Sequence, residues 1–191
     1  MRVKERLLRQ SGLAVFDRRV IANLLGVAYP STNPILDRLV RAGILTRLRR
    51  DRYVLNETAA ARTRKIANEL VKPSAISLWT ALSDAGITTQ APRTVQSVTP
   101  KRPVDVAPDN LPMFQYVHLP PVLYAGIVLD GDGVFRMPPE KALLDLLYVQ
   151  GGALDWSSMD LKRLNRAMLR RMAGLFPERV RLALIASPLF R

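Results

Sequence analysis

The chain has 191 residues, 48% of them hydrophobic, and 29 Lys and Arg against 16 Asp and Glu, a net charge of +13. That length can divide into two compact units with real cores, and the hydrophobic share argues against overall disorder. The lack of cysteine excludes disulfides, thiolate metal sites and cysteine nucleophiles, and with no signal-like or long uncharged apolar run the cytoplasm is the expected compartment, with no membrane partner.

In chain order, Val20, Ile21, Leu24 and Leu25 mark a short amphipathic helix that Asp17 can cap and Gly26 ends. Tyr29-Pro30 leads to Ser31, Thr32 and Asn33, three residues able to cap a helix, and then to Pro34, tolerated in a first turn where no backbone donor is lost. Ile35, Leu36, Leu39 and Val40 recur at helical spacing as an inward stripe, with Arg38 and Arg41 off it. Gly43 stands where a left-handed C-terminal cap belongs, and Ile44 to Arg49 alternates as a strand with Arg47 and Arg49 on one face. A turn at Arg50-Asp51 and a second run from Arg52 to Leu55 close a hairpin.

Two helices joined by a tight turn, followed by an arginine-studded hairpin, read as a winged helix-turn-helix over residues 1–63. Such a fold offers the polar N-terminus of its second helix to base edges in a major groove of double-stranded DNA. Ser31, Thr32, Asn33 and Asp37 are therefore the candidate base readers, and Arg38, Arg41, Arg47, Arg49, Arg50 and Arg52 the candidate phosphate contacts. The alternative is a small helical and hairpin domain whose arginines merely face water. Charge is concentrated accordingly. Residues 1–65 hold 15 Lys/Arg against 5 Asp/Glu, residues 66–150 hold 6 against 8, and residues 151–191 hold 8 against 3, giving +10, −2 and +5. Concentrating cations on one segment suits neutralisation of a phosphate backbone.

Between Asn56 and Lys65 the hairpin gives way to a polar, alanine-rich stretch compatible with a linking helix, which Ile66 to Leu70 can prolong until Lys72-Pro73 stops it. Ser74 is expected to open a helix with Ile76, Leu78, Trp79, Ala81 and Leu82 inside and Gly86 at its end. Strands are predicted at Thr94 to Val98, Phe114 to Leu119 and Tyr124 to Leu129, with Val134 to Met137 pairing back across Asp130-Gly131-Asp132-Gly133. Pro138 and Pro139 start a helix over Glu140 to Val149. Residues 64–150 thus read as a small mixed α/β domain. From Asp160, Leu161, Leu164, Met168 and Met172 fall on one helical face, opposite Lys162, Arg163, Arg166 and Arg170. Residues 151–191 are read as a basic helical segment packed on the α/β domain, its cations either solvated or a second phosphate-contacting surface beside the winged helix. The fold class expected for the whole is α+β.

Four stretches, in order, resemble the signature segments of AbiEi-type antitoxins. They are Arg41-Ala42-Gly43-Ile44-Leu45-Thr46-Arg47-Leu48-Arg49-Arg50 with Tyr53; Leu70-Val71-Lys72-Pro73-Ser74-Ala75-Ile76-Ser77-Leu78; Ser97-Val98-Thr99-Pro100-Lys101-Arg102-Pro103; and Pro139-Glu140-Lys141-Ala142-Leu143-Leu144-Asp145-Leu146-Leu147. The first belongs to winged helices generally, so the order of all four carries the likeness. The resemblance implies a bacterial transcriptional autorepressor, the antitoxin of a type IV system, that binds inverted repeats at its own promoter and counteracts a co-encoded nucleotidyltransferase-like toxin. In that family the winged helix is associated with promoter binding and the α/β region with neutralisation. Members often have glycine where Asp51 stands, though aspartate also tolerates a left-handed turn.

Catalytic candidates are weaker. Glu140, Lys141 and Asp145 can be assembled into a nuclease-like set, but a first-turn acid suits a helix N-terminus, and pairing along a helix surface accounts for the other two. Asp130 and Asp132 belong to an Asp-Gly turn with no glutamate to complete a calcium loop. His118, the sole histidine, lies in an apolar strand before Pro120-Pro121 and is given a structural role. No phosphate-cradling glycine loop is present. No catalytic residue, metal ligand or cofactor is assigned, and the chain is expected not to be an enzyme. The alternative class is a nuclease-like, nucleic-acid-modifying enzyme targeted by a winged helix.

Overall fold

The computed structural model describes residues 2–90, 92–152 and 154–190, and its two sheets sort a mixed α/β chain into two hydrophobic cores. The smaller core is built by α1 (Arg2–Gln10), β1 (Phe16–Asp17), α2 (Arg18–Leu24), α3 (Thr32–Arg41) and the hairpin of β2 (Leu45–Arg49) and β3 (Arg52–Leu55). Leu8, Phe16, Ile21, Leu36, Leu39, Leu45, Tyr53 and Leu55 fill it. The Asp17 carboxylate accepts the Arg19 N–H at 2.8 Å, capping α2 as its position suggests. β1 was not foreseen, because two residues are too few to show a period; it adds a strand beside β3, giving the order β1-β3-β2.

Two details of this unit depart from the sequence-based expectation. No side-chain cap opens α3; a 3₁₀ turn over Tyr29–Ser31 runs directly into it. The buried stripe is then Thr32, Leu36 and Leu39, at i, i+4 and i+7, while Val40 is turned outward. In the hairpin, Arg47 faces Tyr53 and Arg49 faces Arg52, so Leu48 is an extra residue that breaks the two-residue period. Arg47 and Arg49 therefore do not share a face. Asp51, at the tip, takes φ 58°, the left-handed conformation required there, and its carbonyl accepts the Arg18 N–H at 3.1 Å.

After α4 (Asn56–Ala59), the larger core gathers around a six-stranded mixed sheet. Its elements are α5 (Thr63–Leu70), β4 (Ala75–Ile76), α6 (Leu78–Asp84), β5 (Thr94–Thr99), β6 (Val104–Val106), β7 (Met113–His118), β8 (Val128–Leu129), β9 (Phe135–Arg136) and α7 (Pro139–Val149). The strand order is β6-β7-β5-β4-β9-β8, with β5 parallel to β7 in full register from Thr94 opposite Met113 to Thr99 opposite His118. Ser74 does not open a helix: Ala75 and Ile76 form an inner strand between β5 and β9, and the helix begins only at Leu78. A short apolar run buried on both sides has no period to distinguish strand from helix. The strand expected from Tyr124 shrinks to Val128–Leu129, because Pro120 and Pro121 start a turn whose carbonyls accept the Leu123 and Tyr124 N–H groups.

α7 lies between α6 on one side and the C-terminal helices on the other, and Glu140 to Leu147 are all buried. The single basic helix expected from Asp160 through Met172 is instead two pieces, a 3₁₀ turn over Leu161–Arg163 and α8 (Arg166–Ala173), and a further helix, α9 (Glu178–Ala186), follows them. Asp160 accepts the Lys162 N–H at 3.3 Å and Asn165 the Met168 N–H at 3.0 Å, local bonds that start new turns rather than continue one helix. Leu164, Leu169 and Ala173 form the buried side, with Met168 and Met172 only half-buried. The two cores adjoin at the hairpin, whose Leu48 and Val54 pack into the larger one.

Candidate nucleic-acid interface

Burying one face of α3 leaves the other to solvent, and that face holds Ser31 just before the helix and then Asn33, Asp37, Arg38 and Arg41, all exposed. Thr32 does not join them. It is fully buried, and its hydroxyl donates to the Ala28 carbonyl, so the base-reading role expected of it is removed by the rotation of the helix.

The arginines divide by what already holds them. Arg38, Arg41 and Arg47 are exposed and have no acidic partner within ion-pair distance among the described residues. Arg50 projects at the hairpin tip with 92% of its side chain exposed, 3.9 Å from Asp51. Arg52 is only part-exposed and pairs with Asp17 at 3.6 Å. Arg49, although exposed, donates its guanidinium to the Leu70 carbonyl at the end of α5, which fastens the hairpin to the larger unit.

Four further residues belong to this surface and were not singled out from the sequence. Tyr29 is 40% exposed, and the Arg18 guanidinium lies 4.0 Å over its ring while donating to the Tyr29 carbonyl at 2.9 Å. Arg19 stacks more loosely at 5.9 Å. The Arg18-Arg19 pair directly after the Asp17 cap was the available signal, since a first helical turn rarely gathers cations without a reason. Lys4 of α1 meets Arg38 at a small cleft of about 80 Å³, extending the cationic strip to a third helix.

The second candidate surface is less continuous than one helix would make it. Lys162 and Arg163 sit on the 3₁₀ turn, and Arg163 is tied to the Gly86 carbonyl at 3.1 Å and to Asp160 at 3.6 Å. Arg166 and Arg170 are exposed on α8, Arg170 lying 4.8 Å over the Phe190 ring. α8 and α9 pack on α7.

The other residues with chemical potential are occupied structurally. Lys141 and Asp145 form an ion pair with at most 1% exposure, inside the core rather than on the helix surface where sequence spacing put them. The Ser77 hydroxyl donates to Asp145 at 2.8 Å, and the Lys141 ammonium lies 4.8 Å over Phe176. Burial raises the Asp145 carboxyl to about 6 against the pull of Lys141 and Ser77. Glu140 accepts the Asn165 N–H at 2.9 Å, anchoring the start of α8. Asp130 accepts the N–H groups of Val134 and Asp132, which with nearby Arg136 hold its carboxyl below the usual range. His118 is exposed at the end of β7, its Nδ1 3.0 Å from the Lys101 carbonyl oxygen. Among the described residues no group of three or more His, Cys, Asp or Glu could hold a metal ion, and no helix is long and apolar enough to cross a membrane.

The architecture is thus that of a mixed α/β protein with two sheets. It is similar to the crystal structure of the Rv2827c protein from Mycobacterium tuberculosis, with a TM-score of 0.64 and 15% identity, covering 96% of this chain and 75% of that one. At such identity the likeness bears on fold alone. No family model and no curated protein matches the sequence.

Proposed function

We propose that the chain is a DNA-binding transcriptional autorepressor and the antitoxin of a bacterial type IV system, acting against a co-encoded nucleotidyltransferase-like toxin. The observation that carries the DNA half of this reading is the strip of exposed cations, Arg38, Arg41 and Arg47, without ion-pair partners among the described residues, beside the exposed polar start of α3 at Ser31 and Asn33. In this reading the smaller unit is a winged helix-turn-helix, α3 enters the major groove, and Ser31, Asn33 and Asp37 read bases. Arg38, Arg41, Arg47 and Arg50 contact phosphate. Arg49 and Arg52 contribute mainly by holding the hairpin and β1 in place. The antitoxin half rests on the four ordered sequence stretches and assigns neutralisation to the α/β unit.

Fluorescence anisotropy of the full chain on its upstream region at two salt concentrations tests the first half: binding should weaken steeply as salt rises, because each phosphate contact releases counterions. Salt-insensitive binding, or none, removes the reading. Co-expression of the adjacent toxin gene with the full chain or with residues 1–63 tests the second. Growth rescue by the full chain alone is expected; equal rescue by both would mean that repression suffices.

A further inference from the structure

A groove of about 590 Å³ lies between α5 and the β8–β9 hairpin, and it includes none of the exposed cations of α3. One wall is polar: Lys65, Asn68 and Glu69 on α5, continued by Lys72, which neutralises Glu69. The facing wall is apolar, formed by Tyr124, Ile127, Leu129 and Phe135. Leu129 is 60% and Phe135 48% exposed, so two large apolar side chains stand open to solvent there.

Ser74 is only 4% exposed, and its hydroxyl, which makes no hydrogen bond among the described residues, is itself closed to solvent, so it lies behind the groove wall and out of a ligand's reach. Lys65 has no acidic partner among the described residues, whereas Lys72 is paired with Glu69 at 2.6 Å. The Lys65 ammonium hangs over the turn at Gly133, 3.4 Å from where a Cβ would stand. A concave site of this volume, with apolar walls and a few convergent polar groups, has the composition of a small-molecule site.

We infer that this groove binds a small amphipathic organic acid. Its apolar or aromatic body lies against Tyr124, Leu129 and Phe135, and its carboxylate meets the Lys65 ammonium. The inference stands apart from the DNA reading, because neither the residues nor the measurement overlap.

The test titrates the full chain with 3-(2-naphthyl)propionate, followed by naphthyl fluorescence, and with its primary amide. The acid should saturate one site, and the amide, Lys65→Glu and Phe135→Ser should each weaken binding about tenfold or more, while Leu182→Lys on the exposed side of α9 should change it by less than about twofold. Phe135 is exposed, so its substitution spares the core, and Leu129→Ser serves in its place if the circular dichroism spectrum departs from that of the parent chain. Equal binding of acid and amide overturns the anionic assignment. Absence of saturable binding, or binding that Lys65→Glu and the apolar-wall variant leave unchanged, overturns the site.

Discussion

The two cores handle charge in opposite ways. Around Leu36 and Leu39 every cation is kept at the rim, and α3 is sharply two-sided, with Thr32 the one polar residue on its buried face. Around α7 an ammonium and a carboxylate are taken inside, sealed by Ser77 and Phe176. A helix packed on one side can leave its charges in water. A helix enclosed on both sides cannot, so whatever charge it carries must be matched internally. The difference teaches that similar Lys, Arg and Asp spacings mean different things according to how many faces of the helix are covered.

The largest effect should come from breaking that internal match. Lys141→Met or Asp145→Leu alone strands a buried charge and should cost about 3–5 kcal/mol in urea unfolding of the full chain. The pair Lys141→Met with Asp145→Leu should recover most of the loss, because apolar groups of similar size need no counter-charge. If the double variant is as unstable as the sum of the singles, the ion pair is not the coupled unit described here.

In the smaller core the corresponding cut is Leu36→Ala, at 1% exposure, expected to cost about 2–5 kcal/mol through lost burial and the cavity left behind. Because α3 is set by that contact, DNA affinity should fall with stability in anisotropy measured near the transition and recover when temperature is lowered. An affinity unchanged at equal loss of stability would count against the DNA-reading role proposed for α3.

What could be read from the sequence follows the same division. α2, α3 and the hairpin were legible because capping residues, stop glycines and one-sided periodicity all mark elements that face water on one side: Asp17, Gly26 and Gly43 stand where they were expected, whereas α1 was not anticipated. The rotation of α3 was not, since Thr32 at the head of the stripe looks like a cap until its hydroxyl is seen bonded to Ala28. In the larger unit β5, β7 and α7 were legible by length and alternation. β4 was mistaken for helix, and β6 and β1 were missed, because strands of two or three residues carry no period. The C-terminal pattern of Leu161, Leu164, Met168 and Met172 was real spacing overridden by two local caps, Asp160 and Asn165. Arg49 was misplaced for one reason only, the extra residue at Leu48.

A smaller effect concerns pH. Asp145 holds its proton more tightly in the fold than in the unfolded chain, its carboxyl being raised from 3.8 to about 6. Its contribution to stability is therefore fully present below about pH 3.8 and is lost as pH rises through about 6. Stability of the parent chain relative to Asp145→Asn should decline across that window, measured by chemical unfolding at fixed ionic strength. A relative stability that climbs over the same range would mean that Lys141 and Ser77 outweigh burial and hold the carboxyl low.

The smallest effect is the most local test of the two regions, because it sits on either side of the bulge. Arg47 is exposed and pairs with no acid among the described residues, so Arg47→Ala should leave stability within about 0.5 kcal/mol and, on the proposed DNA reading, lower the slope of log affinity against log salt by about 1. Arg49 grips the Leu70 carbonyl, so Arg49→Ala should cost about 1 kcal/mol, less than a buried charged hydrogen bond because water reaches the guanidinium. Its salt slope should change by less than that of Arg47→Ala. The physical content is that one inserted residue, Leu48, converts two arginines that alternate identically in sequence into one that faces solvent and one that faces the protein. Equal salt slopes for the two variants would show that both guanidinia reach phosphate and that the bond to Leu70 opens when DNA binds.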